Sequence, residues 1–254
     1  MKGRRYNLRI DVMGVGFDNV TMEEALQVAA AEIKLHRGAY CVTPNAEIVW
    51  EAMQDASYRK LINEASLVLP DGAGVVMGAN ILKRPLKSKV AGIDFADRLA
   101  GQLAQNGGSL YLLGSKPGIA EKAAENLQKK HPGLVIAGTA DGYFKDEAPV
   151  IEKIKAANPD VLFVCLGAPK QEIFMAKYQG VLSVGLMAGL GGSLDGFAGA
   201  VKRAPKWMIE CKLEWFYRLL KEPKRLGRMM RLPKFVLACR KQRRKEAREE
   251  KKHG

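Results

Sequence analysis

The feature that most constrains this chain is its alternation of short apolar runs with longer helical patterns. Seven runs of four to six residues are apolar almost throughout, which is typical of strands covered on both faces. They span residues 8–12, 39–42, 66–69, 109–113, 134–137, 161–166 and 181–186. Helical patterns separate them at residues 22–36, 46–64, 73–81, 93–105, 119–130, 148–157 and 171–178. This β-α-β order predicts a Rossmann-like α/β fold, a mostly parallel sheet with helices on both faces.

Charge divides the chain into a nearly neutral body and a basic C-terminal part. Residues 201–254 hold 19 Lys+Arg and 6 Asp+Glu, whereas residues 1–200 hold 22 and 21. We therefore predict a catalytic α/β core at residues 1–200, an amphipathic basic helical appendage at 201–239 and a disordered basic tail at 240–254. So much positive charge favours a partner that carries phosphates: a nucleic acid, an anionic membrane surface or a phosphorylated substrate.

The cysteines and the longest weakly charged stretch bear on localisation. The four cysteines form no Cys-x-x-Cys pair, and the N-terminus has no secretory signal pattern, so we expect a reduced cytoplasmic protein. Residues 180–201 contain seven glycines and Asp195. This composition predicts a buried strand followed by a glycine-rich loop, not a membrane span.

Ligands of open α/β sheets bind beyond the carboxyl ends of the strands, so the polar segments there are the candidates for a site. Thr43 and Asn45 follow one strand and either cap the next helix or bind a ligand. Asp71 follows another, beside permissive glycines, and is either a helix N-cap or a general base for a substrate hydroxyl. Residues 114–118 combine a helix start with a hydroxyl and a lysine, a pattern that suits a phosphate.

Two further segments complete the set of candidates. Residues 166–172 place a lysine, an amide and a carboxylate at one helix start. Capping a helix requires fewer polar side chains than this, so the segment is a candidate for ligand binding. Residues 189–199 are rich in glycine, which suits main chain lying close to a ligand or a flexible linker. From these segments we predict substrate contacts by Ser115, Lys170, Gly191, Gly192 and Asp195.

Several kinds of active site are not predicted, because the residues that they require are missing from the candidate segments. The three histidines lie outside the candidate segments, so neither a Ser-His-Asp triad nor a histidine-rich metal site is predicted. Gly14 and Gly16 begin a dinucleotide-like pattern, but Asn19 stands where its third glycine belongs. No Asp-x-Asp triplet occurs, so we expect no cofactor and no metal.

Arginines offer another way to neutralise a diphosphate. Arg218, Arg225 and Arg228 are spaced by seven and three residues, so they share one face if the backbone stays helical across Pro223. A guanidinium group matches phosphate oxygens with two hydrogen bonds. We predict that these three arginines bind the substrate.

Five of the segments together resemble the WecG/TagA/CpsF family of glycosyltransferases. They are TPNAE at 43–47, PDGAG at 70–74, GAPKQE at 167–172, GGS at 191–193 and RAP at 203–205, in the family's order. The likeness runs from about residue 11 to about residue 231 and is closest to the N-acetylmannosaminyltransferases of wall teichoic acid synthesis.

The resemblance implies an inverting, membrane-associated enzyme, which we expect on the inner face of the cell membrane, and the missing Asp-x-Asp triplet and the three arginines predict that it is metal-independent. Such an enzyme moves N-acetylmannosamine from its UDP donor to a polyprenyl-diphosphate-linked N-acetylglucosamine, for a teichoic acid linkage unit or a related surface polymer. It also implies Asp71 as catalytic base, with Thr43, Asn45 and Gln171 lining the pocket. The C-terminal appendage would cover the site and touch the anionic membrane.

One departure from the family is visible. Where the family often has arginine, in an Arg-Val-x-Gly-x-Asp stretch, this chain has Lys89. Lysine keeps the charge but loses the two-pronged geometry of the guanidinium group. We predict Lys89 as a further substrate contact.

Three other functions stay open from the sequence. The first is the same transfer with another UDP-hexose donor, because no residue visibly reads the sugar. The second is a nucleic-acid-binding α/β protein that uses the basic tail. We predict no nucleic acid partner, because the tail lacks regularly interleaved aromatic residues beyond Tyr217 and the core motifs would go unexplained. The third is a nucleotide-sugar oxidoreductase or epimerase, against which the broken glycine pattern argues. A homo-oligomer is also left open.

Overall fold

The computed structural model describes residues 8–201 and 230–253, together with Pro205, Met208, Tyr217 and Gly227. The strands are β1 (Arg9–Val12), β2 (Val15–Asp18), β3 (Ala39–Val42), β4 (Leu67–Val68), β5 (Ser109–Gly114), β6 (Val135–Ala140), β7 (Val161–Cys165) and β8 (Leu186–Gly189). The helices are α1 (Met22–Leu35), α2 (Ala46–Gln54), α3 (Ala56–Glu64), α4 (Ala73–Ile81), α5 (Gly92–Asn106), α6 (Ile119–Lys130), α7 (Ala148–Ala157), α8 (Lys170–Tyr178), α9 (Ser193–Phe197) and α10 (Arg231–His253).

Six strands form one sheet in the order β4-β3-β8-β7-β5-β6. Every neighbouring pair in this sheet is parallel, which confirms the predicted α/β class. Because all six strands run in the same direction, their carboxyl ends share one edge of the sheet, here called the carboxyl edge. The segments predicted to bind substrate begin there.

Alternate side chains of the strands face two separate hydrophobic cores. In β3, Tyr40 and Val42 belong to the core that also contains residues of α2, α3, α4, α7, α8 and α10. Ala39 and Cys41 belong to the other core, with residues of α1, α5, α6 and α9. Both faces of the sheet are therefore covered, which explains why β7 is buried along its whole length.

The first strand does not join the parallel sheet, contrary to the expected β-α-β start. β1 and β2 form a separate antiparallel hairpin in which Val12 is paired with Val15. Its two loop residues, Met13 and Gly14, both have positive φ, as the tight turn of a two-residue hairpin requires. The glycine pattern at 14–16 thus builds a hairpin and not the strand-to-helix turn of a dinucleotide site.

Hydrogen bonds of two charged side chains, Arg9 and Asp18, fasten this hairpin to main chain in and just before β4. Arg9 donates to the carbonyls of Asn63 and Ala65 at 2.7 and 2.6 Å and forms an ion pair with Asp18 at 3.3 Å. Asp18 is buried, and its Oδ2 accepts from the main-chain N–H of Val68 in β4 at 2.7 Å. The hairpin therefore covers the outer side of β4, an end strand of the sheet.

The last strand lies later than predicted. Residues 181–186 were expected to form it, but β8 spans Leu186–Gly189. Leu182 and Val184 are buried in the connection before β8, where the carbonyl of Val184 accepts from Gly38 at 2.8 Å. Apolar residues that are buried in a loop thus give the same sequence pattern as a buried strand.

The C-terminal helix α10 extends through the tail for which the sequence predicts disorder. Lys, Arg, Glu, Gln and Ala dominate residues 240–253, and all of these favour a helix. Gln242 donates to Glu246 at 2.9 Å and Arg243 pairs with Glu250 at 2.8 Å. No helix in the described ranges combines the length and apolar character needed to cross a membrane.

Two glycines of α4 form the surface on which α10 packs. A Cβ at Gly74 would lie 2.7 Å from Leu232, and one at Gly78 would lie 2.6 Å from the ring of Phe235. Phe235 and Cys239 are fully buried there, in the same core as α2 and α4. α10 can therefore approach α4 this closely because Gly74 and Gly78 have no side chains.

We expect Gly78→Ala to loosen α10, because the new methyl group would clash with Phe235. Overpacking of this kind costs about 1–3 kcal/mol, which exceeds the gain of about 1 kcal/mol from replacing a helical glycine by alanine. Amide hydrogen exchange in residues 231–253 should become faster than in the wild type. Gly101→Ala in α5 is the control, because its methyl group would lie 3.3 Å from the partly exposed His131 ring. Unchanged exchange in α10 would contradict this view of the contact.

Candidate active site

The five predicted segments form one row along the carboxyl edge. In sheet order they follow β4, β3, β8, β7 and β5, and hydrogen bonds or close contacts join each segment to the next. The links are Asp71 N to Pro44 O (3.3 Å), Thr43 Oγ1 to Gly189 O (2.9 Å), Gly191 N to Gln171 Oε1 (2.9 Å) and Ser115 N to Cys165 O (3.2 Å). Segments that are far apart in the sequence thus make one continuous surface.

Thr43 joins two neighbouring strands at this edge. Its side chain is buried, and its hydroxyl donates to the carbonyl of Gly189 at the end of β8. A Cβ at Gly92, the first residue of α5, would lie 3.2 Å from the same hydroxyl. The Thr43 hydroxyl therefore fixes main chain, and a pocket-lining role for it stays a prediction.

Asn45 is the N-cap of α2. Its Oδ1 accepts from the main-chain N–H groups of Glu47 and Ile48 at 2.9 and 3.0 Å. The sequence left helix capping and ligand binding open for this side chain, and the structure shows the helix cap. The cap engages the amide oxygen, and a contact of Asn45 with a ligand stays a prediction.

Asp71 does not hold the N-cap position of the helix that follows it. Gly72 holds that position in α4, with φ at 85° and without a side-chain cap from any described residue. Asp71 is a partly exposed residue, and a Cβ at the neighbouring Gly72 would lie 3.7 Å from the Cβ of Asn45. The main chain next to Asp71 therefore lies close to Asn45, within the row.

Ser115 and Asp195 connect the segments after β5 and β8. Ser115 donates from its Oγ to Asp195 Oδ1 at 2.9 Å. The turn requires Gly114, because its φ is 134° and a Cβ there would lie 2.3 Å from the carbonyl oxygen of Cys165. The Asp195 side chain also lies near Gly192, whose Cβ would be 3.8 Å from Oδ2. A phosphate at Ser115 would therefore have a carboxylate beside it.

Gln171 is buried and both ends of its amide are engaged. Its Oε1 accepts from Gly191 N, and its Nε2 donates to Glu172 Oε1 at 2.8 Å. Burial raises the pKa of Glu172, whose other oxygen accepts from the hydroxyl of Tyr58 at 3.1 Å. Gln171 thus holds the glycine-rich turn, and its contact with a substrate stays a prediction.

The two lysines predicted at the site are both exposed. Lys170 Nζ donates to the carbonyl of Gly142 at 3.2 Å and lies 4.5 Å from the centre of the Phe144 ring. Lys89 precedes Val90, whose N–H donates to the carbonyl of Pro70 at 3.0 Å. Lys89 therefore lies near the β4 end of the row, and Lys170 lies in the segment after β7.

The helix starts make the carboxyl edge attractive to anions. α4, α5, α6 and α8 begin there without a side-chain cap from the described part of the chain. Their first main-chain N–H groups then face the edge, where the helix dipole adds partial positive charge. Together with the two lysines, this arrangement suits a phosphate or diphosphate group.

Some predicted residues cannot be assigned a position. Arg218, Arg225 and Arg228 lie outside the described residues. Among the residues that are described, no three His, Cys, Asp or Glu side chains are grouped as a metal ion would need.

Sequence reasoning missed Tyr58 and gave no role to Glu172. Glu172 lies in the GAPKQE segment, but nothing in the sequence indicates that it is 1% exposed. Tyr58 lies in a helical pattern, where a tyrosine is typical of a core. Phe144 was missed as well, because the connection from β6 to α7 carries no recognisable pattern.

Comparison with known proteins relates the chain to a family. Residues 10–249 match the profile of the glycosyl transferase WecG/TagA/CpsF family. Similar proteins of Bacillus spizizenii (42% identical over 84% of this chain and 82% of the relative) and Bacillus subtilis (40%, over 79% and 78%) share a name. Both are called N-acetylglucosaminyldiphosphoundecaprenol N-acetyl-beta-D-mannosaminyltransferase. A Staphylococcus aureus protein of that name is 34% identical over 95% of this chain and 96% of its own length.

We expect Thr43→Val to destabilise the protein, because the carbonyl of Gly189 would lose its buried donor. A buried acceptor without a partner costs about 1–3 kcal/mol, whereas Thr43→Ser keeps the hydroxyl and serves as the control. Urea unfolding of the two variants measures the difference. Equal stability of the valine and serine variants would refute the strand-joining role.

Proposed function

We propose, since the chain belongs to the WecG/TagA/CpsF family of glycosyl transferases, that it transfers N-acetylmannosamine from UDP-N-acetylmannosamine to a polyprenyl-diphosphate-linked N-acetylglucosamine. The observation that carries this proposal is the single row in which the carboxyl edge assembles Asp71, Asn45 and the glycine-rich turn. The names of three relatives supply the sugar and the acceptor.

Asp71 is the proposed general base. Its carboxylate accepts the proton of the acceptor hydroxyl while the hydroxyl oxygen attacks the anomeric carbon. The bond from that carbon to the UDP oxygen breaks, and its electron pair leaves with the diphosphate. A single displacement of this kind inverts the configuration at the anomeric carbon. The partial exposure of Asp71 and its place at the carboxyl edge, directly after β4, support this role.

The departing diphosphate needs positive charge. The uncapped helix starts of α4, α5, α6 and α8 supply part of it from main-chain N–H groups. Ser115, Lys170, Gly191 and Gly192 are proposed to contact the donor. Arg218, Arg225 and Arg228 are proposed to supply the remaining charge, so that no metal ion is required.

The acceptor is a lipid, so the enzyme must meet a membrane. α10 has a cationic face that supports binding to an anionic surface at the inner side of the cell membrane. Its exposed residues Lys234, Lys241, Arg244, Arg248 and Lys251 are spaced by seven, three, four and three positions. This spacing places them on one side of the helix, away from the buried Phe235 and Cys239. Each such charge near an anionic membrane contributes about 1 kcal/mol.

We expect Asp71→Asn to fold normally and to bind UDP as the wild type does, but to lose turnover by about 10²–10⁴-fold. The amide keeps the shape of the side chain and cannot accept the proton. Asp55→Asn is the control, because it makes the same charge change at the N-cap of α3, where asparagine caps equally well. Transfer of labelled sugar to a short-chain lipid acceptor is measured. Turnover near the wild-type value in Asp71→Asn would exclude Asp71 as the base.

We expect full activity in the presence of EDTA, because side-chain and main-chain donors are proposed to hold the diphosphate. The measurement is the rate of UDP release with and without chelator. Activity lost in EDTA and restored by Mg²⁺ or Mn²⁺ would show that a metal ion performs this task.

A further inference from the structure

Glu172 is a buried carboxyl group for which the proposed mechanism has no use. It is 1% exposed, and both of its oxygens have donors. Oε2 accepts from the Tyr58 hydroxyl of α3 at 3.1 Å, and Oε1 accepts from Gln171 Nε2 at 2.8 Å. Burying such a group is costly unless it is hydrogen-bonded, so its contacts deserve a physical reason.

The Gln171 amide can point in only one direction. The main-chain N–H of Gly191 must donate, so it faces Gln171 Oε1, at 2.9 Å. Nε2 then faces Glu172, which must accept. The three groups and Tyr58 therefore form one ordered chain of hydrogen bonds from α3, through the start of α8, to the end of β8.

This chain ends on the turn that follows β8. Gly191 has φ at 56°, and the turn is also held by Thr43 on Gly189 O and by Ser193 Oγ on Leu190 O at 2.7 Å. Of these holding groups, Gln171 is the one that contacts Gly191 itself. Without an acceptor at position 172, the amide of Gln171 loses the partner that keeps its Oε1 on Gly191.

We propose that Glu172 and Tyr58 are positioning residues for sugar transfer, which hold the Gln171 amide so that the main chain of Gly191 is fixed for the donor diphosphate. This inference rests on the proposed function. It assigns neither residue a contact with substrate, and no proton passes between Glu172 and the reactants.

The proposal predicts different effects for two substitutions of Glu172 that are similar in size. In Glu172→Gln, the new side-chain oxygen accepts from Gln171 and the new amide donates to the Tyr58 oxygen, so the chain of hydrogen bonds persists. In Glu172→Leu, no acceptor remains for Gln171. If Glu172→Leu fails to fold, Tyr58→Phe tests the same chain by removing a single hydroxyl.

The first test needs no substrate and follows the amide hydrogen exchange of Gly191. We expect faster exchange in Glu172→Leu, a smaller increase in Tyr58→Phe and the wild-type rate in Glu172→Gln. Unchanged exchange in both Glu172→Leu and Tyr58→Phe would overturn the proposal.

The second test measures kcat and KM for the donor. Glu172→Leu should lower kcat by about tenfold to a hundredfold, as misplacement of a binding group does, and Glu172→Gln should keep both the rate and its pH profile. Gln171→Leu combined with Glu172→Leu should be no slower than Gln171→Leu alone, because one residue acts through the other. Additive losses, or a Glu172→Gln variant as slow as Glu172→Leu, would overturn the proposal.

The two tests keep this inference apart from the proposed function. If the wild-type protein transfers no sugar from UDP-N-acetylmannosamine, the proposed function fails. The exchange of Gly191 still decides whether Glu172 and Tyr58 hold the turn. Wild-type turnover with unchanged Gly191 exchange in both variants would refute the positioning role alone.

Discussion

The parallel register of six strands is the constraint on which the site depends. Since β3 to β8 all run in one direction, each contributes the residues after its last hydrogen bond to the same edge. Val42 is paired with Gly189, and Gly189 with Val164, so the segments that follow start at the same level. A change of register in any of these pairs would separate Thr43, Gln171 and the glycine-rich turn.

Most polar side chains at this edge hold main chain, and few are left to meet a substrate. Thr43 holds the end of β8, Asn45 holds the start of α2, and Gln171 holds Gly191. A site built in this way presents main-chain N–H groups in fixed positions, which do not need to reorganise when charge develops. Asp71 follows β4, and the next residue, Gly72, holds the N-cap position of α4.

Much of the fold could be predicted from the sequence, since strands covered on both faces are apolar throughout and helices have their own period. The limits of α4, α6 and α7 agree with the predicted ones. The hairpin of β1 and β2 was missed, because β2 is only four residues long and contains Gly16, which is typical of a loop. The shift of β8 arose from Leu182 and Val184, which are buried without being in a strand.

The sequence predicted that the candidate segments follow the carboxyl ends of strands, but not which groups their side chains contact. The row of Thr43, Asn45 and Asp71 follows from strand order alone, whereas the partner of each side chain depends on tertiary contacts. The burial of Glu172 under Tyr58 has no signature in a single sequence, because the two residues are 114 positions apart.

The hairpin also closes one end of the sheet. Asp18 occupies the main-chain N–H of Val68, so the β4 end of the sheet offers this donor to no other molecule. At the opposite end, β6 is paired on one side only among the described residues. An exposed end strand is a template for strand addition, so growth of this sheet by a neighbour would proceed from β6.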